Sequence, residues 1–428
     1  MSGAAATRSM TQLAICGGKP VLNEPLPEHR NIGAEETAAA MRVMQSGCLS
    51  AFYGSAGARF LGGPEVRKFE ANWCDRFEVA HAVAMNSATS CLMAAVAACG
   101  LGPGDEMIVP PFTMTASATA AKLWGARPVF ADIRNDSFTL DPDSVAGLIT
   151  PRTKAIMAVN LFGQPADLDE LMVLARPRGI KVIEDNAQAP GALYKGHAAG
   201  TVADIGVFSL NCHKVIQTGE GGVACTNDEA LAERLRLLRN HGEAVVRESG
   251  YEDSPEQIIG FNFRMGELEA AIGSAQLAKL DALIAPRQQL AALYNERLHA
   301  LPGLTVPTVR PARSHVYYVY ALTLDPALAG FSRRALVQAL AAEGVECFEG
   351  YCRPLYQEPL FAQDPSSSTG LCPVTERLYG DQLLFHGLLY PEIAPLGTAI
   401  CDAFEKIWDN GSALASLDDD HASSSRRG

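Results

Sequence analysis

Residues 155–184 read AIMAVNLFGQPADLDELMVLARPRGIKVIE, which contains a strand-like run, a helical run and a second strand-like run. The strand-like runs Ala155–Leu161 and Lys181–Glu184 are short and apolar, as buried strands of a parallel sheet are. Leu168–Ala175 between them predicts a helix. The pattern continues from about residue 80 to 230, with strands predicted at Ala80–Met85, Met107–Val109, Pro128–Ile133 and Ile205–Ser209, and helices at Ser90–Cys99, Ala116–Trp124 and Glu229–Asn240. This alternation indicates an α/β fold in which helices cover both faces of a mostly parallel sheet.

The chain changes character after about residue 265. Met265–Leu298 predicts a long helix, and a smaller α+β domain is expected beyond it. Its predicted elements are strands at Leu304–Val309 and His315–Leu324, a helix at Ser332–Glu343 and an extended run at Val345–Cys347. We predict an N-terminal segment (1–30), a large domain (31–275), a small C-terminal domain (276–415) and a disordered polar tail (416–428).

Composition excludes several classes of protein. The 428 residues carry a net charge of -13, so nucleic acid is an unexpected partner. No apolar run is long enough to span a membrane, and Met1–Met10 does not resemble a signal peptide. The 11 cysteines form no CxxC pair or metal-binding spacing. We therefore predict a soluble cytoplasmic protein with reduced thiols and no metal site.

A lysine stands in the loop after a predicted strand, in Ser209-Leu-Asn-Cys-His-Lys214, and glycines follow at Gly219–Gly222. An unprotonated lysine can condense with an aldehyde. Glycines allow the backbone to approach a flat ring or a phosphate closely. Taken alone, a lysine in such a loop is more often simply solvated.

A carboxylate ends another predicted strand, in Val182-Ile-Glu-Asp185-Asn-Ala-Gln188. Pyridoxal phosphate (PLP) needs a carboxylate against its pyridine nitrogen to act as an electron sink. Asp185 could supply it, and Gln188 could donate to the phenolic oxygen of the ring. The alternative is that Asp185 caps a following helix.

Small hydroxyl residues open the helix after the first predicted strand, in Asn86-Ser87-Ala88-Thr89-Ser90. The free amides of a helix N-terminus bind phosphate readily, and Ser209 could add a further hydrogen bond. A plain N-cap is the alternative. Because ligands of such sheets bind beyond the carboxyl ends of the strands, the three segments together indicate one PLP site.

With these segments in place, the chain resembles the DegT/StrS-type sugar aminotransferases over roughly residues 30–410. The resemblance implies the aspartate aminotransferase-like fold (PLP fold type I), with a seven-stranded sheet and a smaller C-terminal domain. The other segments that carry it are Gly62–Glu70, Gly102–Pro111, Thr150–Ala155, Asn160–Gln164, Arg239–Gly242 and Gly260–Met265.

The resemblance also implies a role for each site residue. Lys214 would bind the cofactor covalently and shuttle the substrate proton, while Asp185 and Gln188 would contact the ring. The phosphate would be held by the Ser87–Thr89 segment, mainly through the amides of Ala88 and Thr89, and by Ser209. Asn262 would reach the phosphate of the neighbouring subunit, which implies a homodimer with shared active sites. A packing role within one chain is the alternative for Asn262 and Arg264.

The chain departs from the family pattern at several positions. Ala88 replaces a frequent glycine, and Met114 stands where an aromatic residue usually stacks on the ring, so Phe112 becomes the candidate for that contact. The segment from Cys48 to Phe60 is longer than usual. Its Tyr53 and Arg59 are candidate substrate contacts, or belong to a surface loop. His386 is another substrate candidate, or a core histidine.

The implied reaction transfers an amino group from glutamate or glutamine to a keto sugar, nucleotide-linked in most relatives, in polysaccharide or antibiotic biosynthesis. A keto cyclitol such as an inosose is an alternative acceptor. A PLP-dependent sugar dehydratase or deoxygenase is a second alternative, because some relatives replace the lysine with histidine and His213 adjoins Lys214. A non-catalytic partner subunit is the third, although it would have no reason to retain Lys214, Asp185 and Gln188 together.

Overall fold

A computed structural model describes residues 12–55, 57–242, 258–362 and 370–415. The large domain contains a seven-stranded sheet in the order β1-β9-β8-β5-β4-β2-β3, and β6 and β7 form a separate hairpin. The strands are β1 His81–Met85, β2 Glu106–Val109, β3 Arg127–Phe130, β4 Thr153–Val159, β5 Lys181–Asp185, β6 Leu193–Tyr194, β7 His197–Ala198, β8 Ile205–Ser209 and β9 Gly222–Thr226.

The direction of the strands places the carboxyl ends of six of them at one edge. β5 runs parallel to β4 and β8, and β2 runs parallel to β3 and β4. β9 is antiparallel to both β8 and β1, so β1 has the same direction as the other five. The predicted mostly parallel seven-stranded sheet is therefore confirmed. Two predicted strands end early: Pro128–Ile133 stops at Phe130, and Ala155–Leu161 stops at Val159 before a 3-10 turn at Leu161–Gly163.

Helices alternate with the strands and cover both faces of the sheet. The α-helices of the described chain, including those of the C-terminal part, are α1 Ala34–Ser46, α2 Pro64–Phe77, α3 Ala88–Ala98, α4 Thr115–Leu123, α5 Pro142–Ala146, α6 Leu168–Ala175, α7 Glu229–Arg239, α8 Glu267–Ala278, α9 Leu280–Leu298, α10 Pro326–Ala329, α11 Arg333–Ala342, α12 Pro373–Arg377 and α13 Gly397–Asp409. Shorter turns of 3-10 helix lie at Ala14–Cys16, Ala58–Leu61, Arg176–Arg178, Leu355–Gln357 and Pro391–Leu396, and a π turn at Leu378–Gln382.

Neighbouring residues of one strand pack into hydrophobic cores on opposite faces of the sheet, which explains why these strands are apolar on both faces. On β5, Ile183 packs in the core that contains α3, whereas Val182 packs with Leu171 of α6. On β8, Val207 belongs to the α3 side and Phe208 contacts Trp73 of α2. Such two-sided burial is typical of a parallel sheet between helical layers.

The C-terminal part contains a four-stranded antiparallel sheet in the order β10-β11-β13-β12. Its strands are β10 Leu304–Thr305, β11 Tyr320–Leu324, β12 Phe348–Glu349 and β13 Leu383–His386. The helical pattern predicted over Met265–Leu298 is two helices, because α8 ends at Ala278 and α9 begins at Leu280. The predicted strand His315–Leu324 begins only at Tyr320, since residues 316–318 pair with the loop after β4 instead.

The N-terminal segment packs on the small domain. Leu13 is buried in the core of the small sheet, and the Glu343 carboxylate accepts hydrogen bonds from the amides of Ala14 (2.8 Å) and Val21 (3.0 Å). The predicted boundary between residues 275 and 276 falls inside α8, and the predicted tail 416–428 lies outside the described residues. The domain division remains a prediction. Among the described helices, none combines the length and hydropathy needed to cross a membrane.

Candidate active site

A cavity of about 310 Å³ opens at the carboxyl edge of the large sheet. Its volume lies at the lower end of small-molecule sites, which span about 300–1,000 Å³. Segments that follow β1, β2, β5 and β8 form most of its wall. The wall contains all the predicted cofactor residues except Phe112 and Asn262, namely Ser87, Ala88, Thr89, Asp185, Gln188, Ser209 and Lys214.

Lys214 lies on the loop after β8, where its amide donates to the Asn211 carbonyl at 2.9 Å. Burial lowers the pKa of the Lys214 amine, and the nearby Asp185 carboxylate partly opposes this shift. The Lys214 Nζ lies 4.6 Å from the centre of the Tyr318 ring. A buried lysine whose pKa is lowered loses its proton more readily and becomes a better nucleophile.

Asp185 is the last residue of β5 and is only 6% exposed. Its Oδ2 accepts from the Ser117 hydroxyl at 2.7 Å, and its Oδ1 accepts from the Ala187 amide at 3.2 Å. Burial raises the pKa of this carboxyl, while Ser117, Ala187 and the charge of Lys214 lower it. Both of these donors are neutral. No α-helix begins directly after β5 in the described chain, so Asp185 forms a local turn contact here and not the helix cap considered above.

Gln188 is held from two sides. Its Oε1 accepts from the Phe162 amide at 2.7 Å, and its Nε2 donates to the Tyr351 hydroxyl at 2.9 Å. The first contact comes from the loop after β4 and the second from the small domain. The amide group at this wall of the cavity is therefore fixed in orientation.

The start of α3 forms the anion-binding end of the cavity. Ser87 caps the helix, because its Oγ accepts from the Ser90 amide at 3.1 Å. The amides of Ala88 and Thr89 occupy the first turn, where a helix supplies no acceptors of its own. Gly222 of β9 passes so close that a Cβ there would lie 2.5 Å from the Ala88 nitrogen. The missing side chain lets the helix start reach the sheet edge.

Four features of this wall match four groups of PLP. The Lys214 amine suits an aldehyde, and a carboxylate whose hydrogen-bond donors in the described chain are neutral suits a pyridinium nitrogen. The fixed amide of Gln188 suits a phenolic oxygen, and the amides at the start of α3 suit a phosphate. The residues present therefore fit the cofactor.

Phe112 and Asn262 lie outside the cavity wall. Phe112 is fully buried and packs edge-on against Tyr351, with 5.5 Å between the ring centres, whereas Met114 is 59% exposed and lines the cavity. Phe112 thus stands behind the wall and cannot cover a ring within it. Asn262 is exposed, and its Oδ1 accepts from Arg264 Nε at 2.7 Å.

The predicted substrate residues do not line the cavity of their own chain. His386 is fully buried in the small domain, with its ring 5.1 Å from that of Tyr320, and burial lowers its pKa to about 3. This position corresponds to the alternative of a core histidine. Tyr53 and Arg59 lie on an exposed loop, where the guanidinium stacks 4.9 Å from the Tyr53 ring.

Three residues near the site were not found from the sequence: Ser117, Tyr318 and Tyr351. Tyr318 follows Tyr317, whose φ of 51° is left-handed, and donates its amide to the Phe162 carbonyl at 2.9 Å. A Cβ at Gly163 would lie 3.0 Å from that amide nitrogen, so the close approach depends on glycine. The sequence around Tyr318 and Tyr351 contains no pattern that would have indicated that these residues lie near the site. The only signal for Ser117 was a hydroxyl within an alanine-rich helix.

Comparisons of sequence and of structure with known proteins point to the same family. The profile of the DegT/DnrJ/EryC1/StrS aminotransferase family matches residues 31–395. GDP-perosamine synthase of Caulobacter vibrioides is 40% identical over 300 residues, 70% of this chain and 78% of that protein. The dTDP-3-amino-3,4,6-trideoxy-alpha-D-glucose transaminase of Streptomyces venezuelae is 37% identical over 335 residues, covering 78% and 82%. The structure of DesI in the presence of its TDP-sugar product matches with a TM-score of 0.80 and 31% identity, over 96% of this chain and 99% of that one.

Proposed function

Because the chain belongs to the DegT/DnrJ/EryC1/StrS aminotransferase family, we propose that it transfers an amino group from glutamate or glutamine to the keto carbon of a nucleotide-linked sugar. One observation carries the proposal: a buried lysine and a buried carboxylate with neutral hydrogen-bond partners line one cavity at the carboxyl edge of the sheet. Relatives named for GDP- and dTDP-linked amino sugars support the acceptor class.

PLP is the cofactor that the family implies, and it supplies a ring that withdraws electrons from the α carbon of the amino donor. Lys214 would bind its aldehyde carbon and, once released, carry a proton away from the donor α carbon. Asp185 would keep a proton on the ring nitrogen. Gln188 would orient the ring, and the amides of Ala88 and Thr89 would hold the phosphate.

The position of Lys214 argues against the dehydratase alternative. His213 also lines the cavity, but its side chain is exposed, whereas the Lys214 amine is buried and interacts with Asp185. The group placed to take the substrate proton is therefore the lysine. A non-catalytic role is opposed by the complete set of polar groups in the wall.

A homodimer with shared sites is part of the proposal. Asn262 lies outside the cavity of its own chain, so a contact with a bound phosphate would have to be made in a second copy. Exposed apolar side chains offer a surface for that copy, including Met41 and Met44 of α1 and Leu49 beyond it. Surface polysaccharide or antibiotic precursors would be the products.

The first experiment is the visible spectrum of the purified protein with PLP, before and after L-glutamate or L-glutamine. A band from the lysine-bound cofactor should appear, fade with donor and return with a GDP-, UDP- or dTDP-linked keto sugar. Lys214→Ala should lack it, whereas Lys122→Ala, at an exposed position, should keep it. A wild-type protein without the band would refute the cofactor site. Recovery only with an inosose would favour the cyclitol alternative.

A further inference from the structure

Two buried hydroxyl groups stand behind the Asp185 carboxylate. Thr113 precedes the N-cap of α4, and Ser117 lies in the first turn of that helix. The Ser117 Oγ is 2.7 Å from Asp185 Oδ2 and 3.0 Å from Thr113 Oγ1. Thr113 is 2% exposed and Ser117 is 0% exposed, so water cannot replace either contact easily.

The chemistry of the groups decides which hydroxyl donates to which. An ionised carboxylate only accepts hydrogen bonds, so Ser117 must give its single hydrogen to Asp185. The Ser117 oxygen can then accept from Thr113. The result is a chain from Thr113 to Ser117 to Asp185 in which both hydrogens point toward the carboxylate, and such chains strengthen each member.

Local helix structure does not account for this arrangement. α4 has Met114 at its N-cap position with no side-chain cap, and the Ser117 amide already donates to the Met114 carbonyl at 3.2 Å. Serine within a helix usually bonds its own backbone or faces water. Here it is directed instead at a carboxylate 68 residues away in sequence.

We propose that Ser117, supported by Thr113, is a positioning residue that keeps Asp185 ionised and aimed at the ring nitrogen of PLP. This inference rests on the proposed function. A neutral hydroxyl stabilises the carboxylate without cancelling its charge, whereas an arginine there would compete with the pyridinium for the same oxygens. The site needs a carboxylate that is stabilised by a neutral hydrogen-bond donor and keeps its negative charge for the pyridinium nitrogen.

The test compares Ser117→Ala with wild type by titrating the apoenzyme with PLP and following the bound cofactor's absorbance against pH. Loss of a hydrogen bond to a charged group predicts about 10-fold weaker PLP binding. The absorbance transition should also move, because the charge on Asp185 controls the ring proton. Thr113→Val should weaken PLP binding by about threefold, since it removes only the supporting hydroxyl. Ser117→Thr restores the donor and should recover wild-type affinity within about twofold.

Thr119→Ala is the matched control, because this half-buried hydroxyl of α4 donates to the Ala116 carbonyl of its own helix at 3.5 Å. Thermal unfolding of each apoenzyme separates misfolding from loss of affinity. Wild-type affinity and an unmoved transition in Ser117→Ala would overturn the inference and leave the proposed function standing. If Ser117→Ala does not fold, wild-type behaviour of Thr113→Val overturns it. A wild-type protein that binds no PLP would overturn both proposals.

Discussion

Glu106 and Asp185 are buried carboxylates on opposite edges of one sheet, and their surroundings differ in charge. Glu106 begins β2 and accepts hydrogen bonds from Arg127 (2.6 Å), Arg152 (2.6 Å) and the Thr150 hydroxyl (2.6 Å). Burial acts to raise its pKa, but the hydrogen bonds from Thr150 and the arginines outweigh burial and lower the pKa to about 2. Asp185 ends β5 among neutral hydrogen-bond donors, and burial raises its pKa.

The difference separates a carboxylate with a structural role from the one proposed to contact the cofactor. The negative charge of Glu106 is compensated by arginines of its own chain. These contacts connect β2 to the start of β3 and to the segment before β4. Asp185 is left uncompensated by direct contacts, because its hydrogen-bond donors are neutral and the Lys214 charge only partly opposes the effect of burial on its pKa. Such a carboxylate is costly in a buried place unless a further cation arrives from outside. Charge compensation, and not burial, therefore distinguishes the two edges of this sheet. We expect variants at the carboxyl edge to change catalysis and variants elsewhere to change stability alone.

The largest effect is expected from Asp185→Asn, which keeps the shape of the side chain but removes its charge. Without a carboxylate the ring nitrogen loses its proton, and kcat should fall about 10³-fold. Thermal stability of the apoenzyme should hold or rise, because a buried, uncompensated charge is gone. Single-turnover measurements with L-glutamate check the rate. A kcat within tenfold of wild type would contradict the role assigned to Asp185.

Glu106→Gln is the matched substitution at the other edge. It should leave kcat unchanged and lower the free energy of unfolding by about 2 kcal/mol, since both arginines are partly exposed and retain some solvation. Because the folded-state pKa is lowered, the contribution of Glu106 is present above its ordinary pKa of 4.5 and is lost as the pH falls toward 2.

Urea unfolding of both proteins between pH 7 and pH 3 measures this stability difference. The difference should be constant from pH 7 to about 4.5 and shrink from there to pH 3. A constant difference across the range would mean that the arginines, and not the ionisation of Glu106, stabilise this edge.

Tyr318→Leu should lower kcat/KM by about tenfold, because it removes the ring that faces the Lys214 amine and one wall of the cavity. Tyr318→Phe keeps the ring and should remain within about twofold of wild type. Steady-state kinetics with the best acceptor distinguish the two. Equal losses in both variants would assign the effect to the hydroxyl instead.

A small effect on catalysis is expected from His386→Leu. The imidazole is buried between Tyr294 and Tyr320 and does not reach the cavity, so KM for the acceptor should stay within about twofold. Unfolding should occur at a lower temperature, because the Leu388 amide loses its acceptor, 3.2 Å away. A large increase in KM would restore His386 as a substrate contact.

Much of the candidate site could be predicted because each of its parts is a pattern of residues that are adjacent in the sequence. A strand followed by Asp185, a strand followed by Lys214 and a helix opened by Ser87 are patterns of adjacent residues, and the parallel direction of the strands brings them to one edge. Ser117 escaped prediction because its partner is 68 residues away. Tyr318 and Tyr351 escaped it because they come from the small domain.

Residue order alone was enough for the fold class, for most strands of the large sheet and for seven candidate cofactor residues that line one cavity, since periodicity and strand ends are properties of neighbouring residues. Packing decided which side chains reach the cavity. A turn after β2 buries Phe112 and exposes Met114, and the left-handed φ of Tyr317 helps direct Tyr318 toward Lys214. Packing also decided which buried carboxylate keeps its charge uncompensated, because that depends on whether arginines from other strands come within hydrogen-bonding distance.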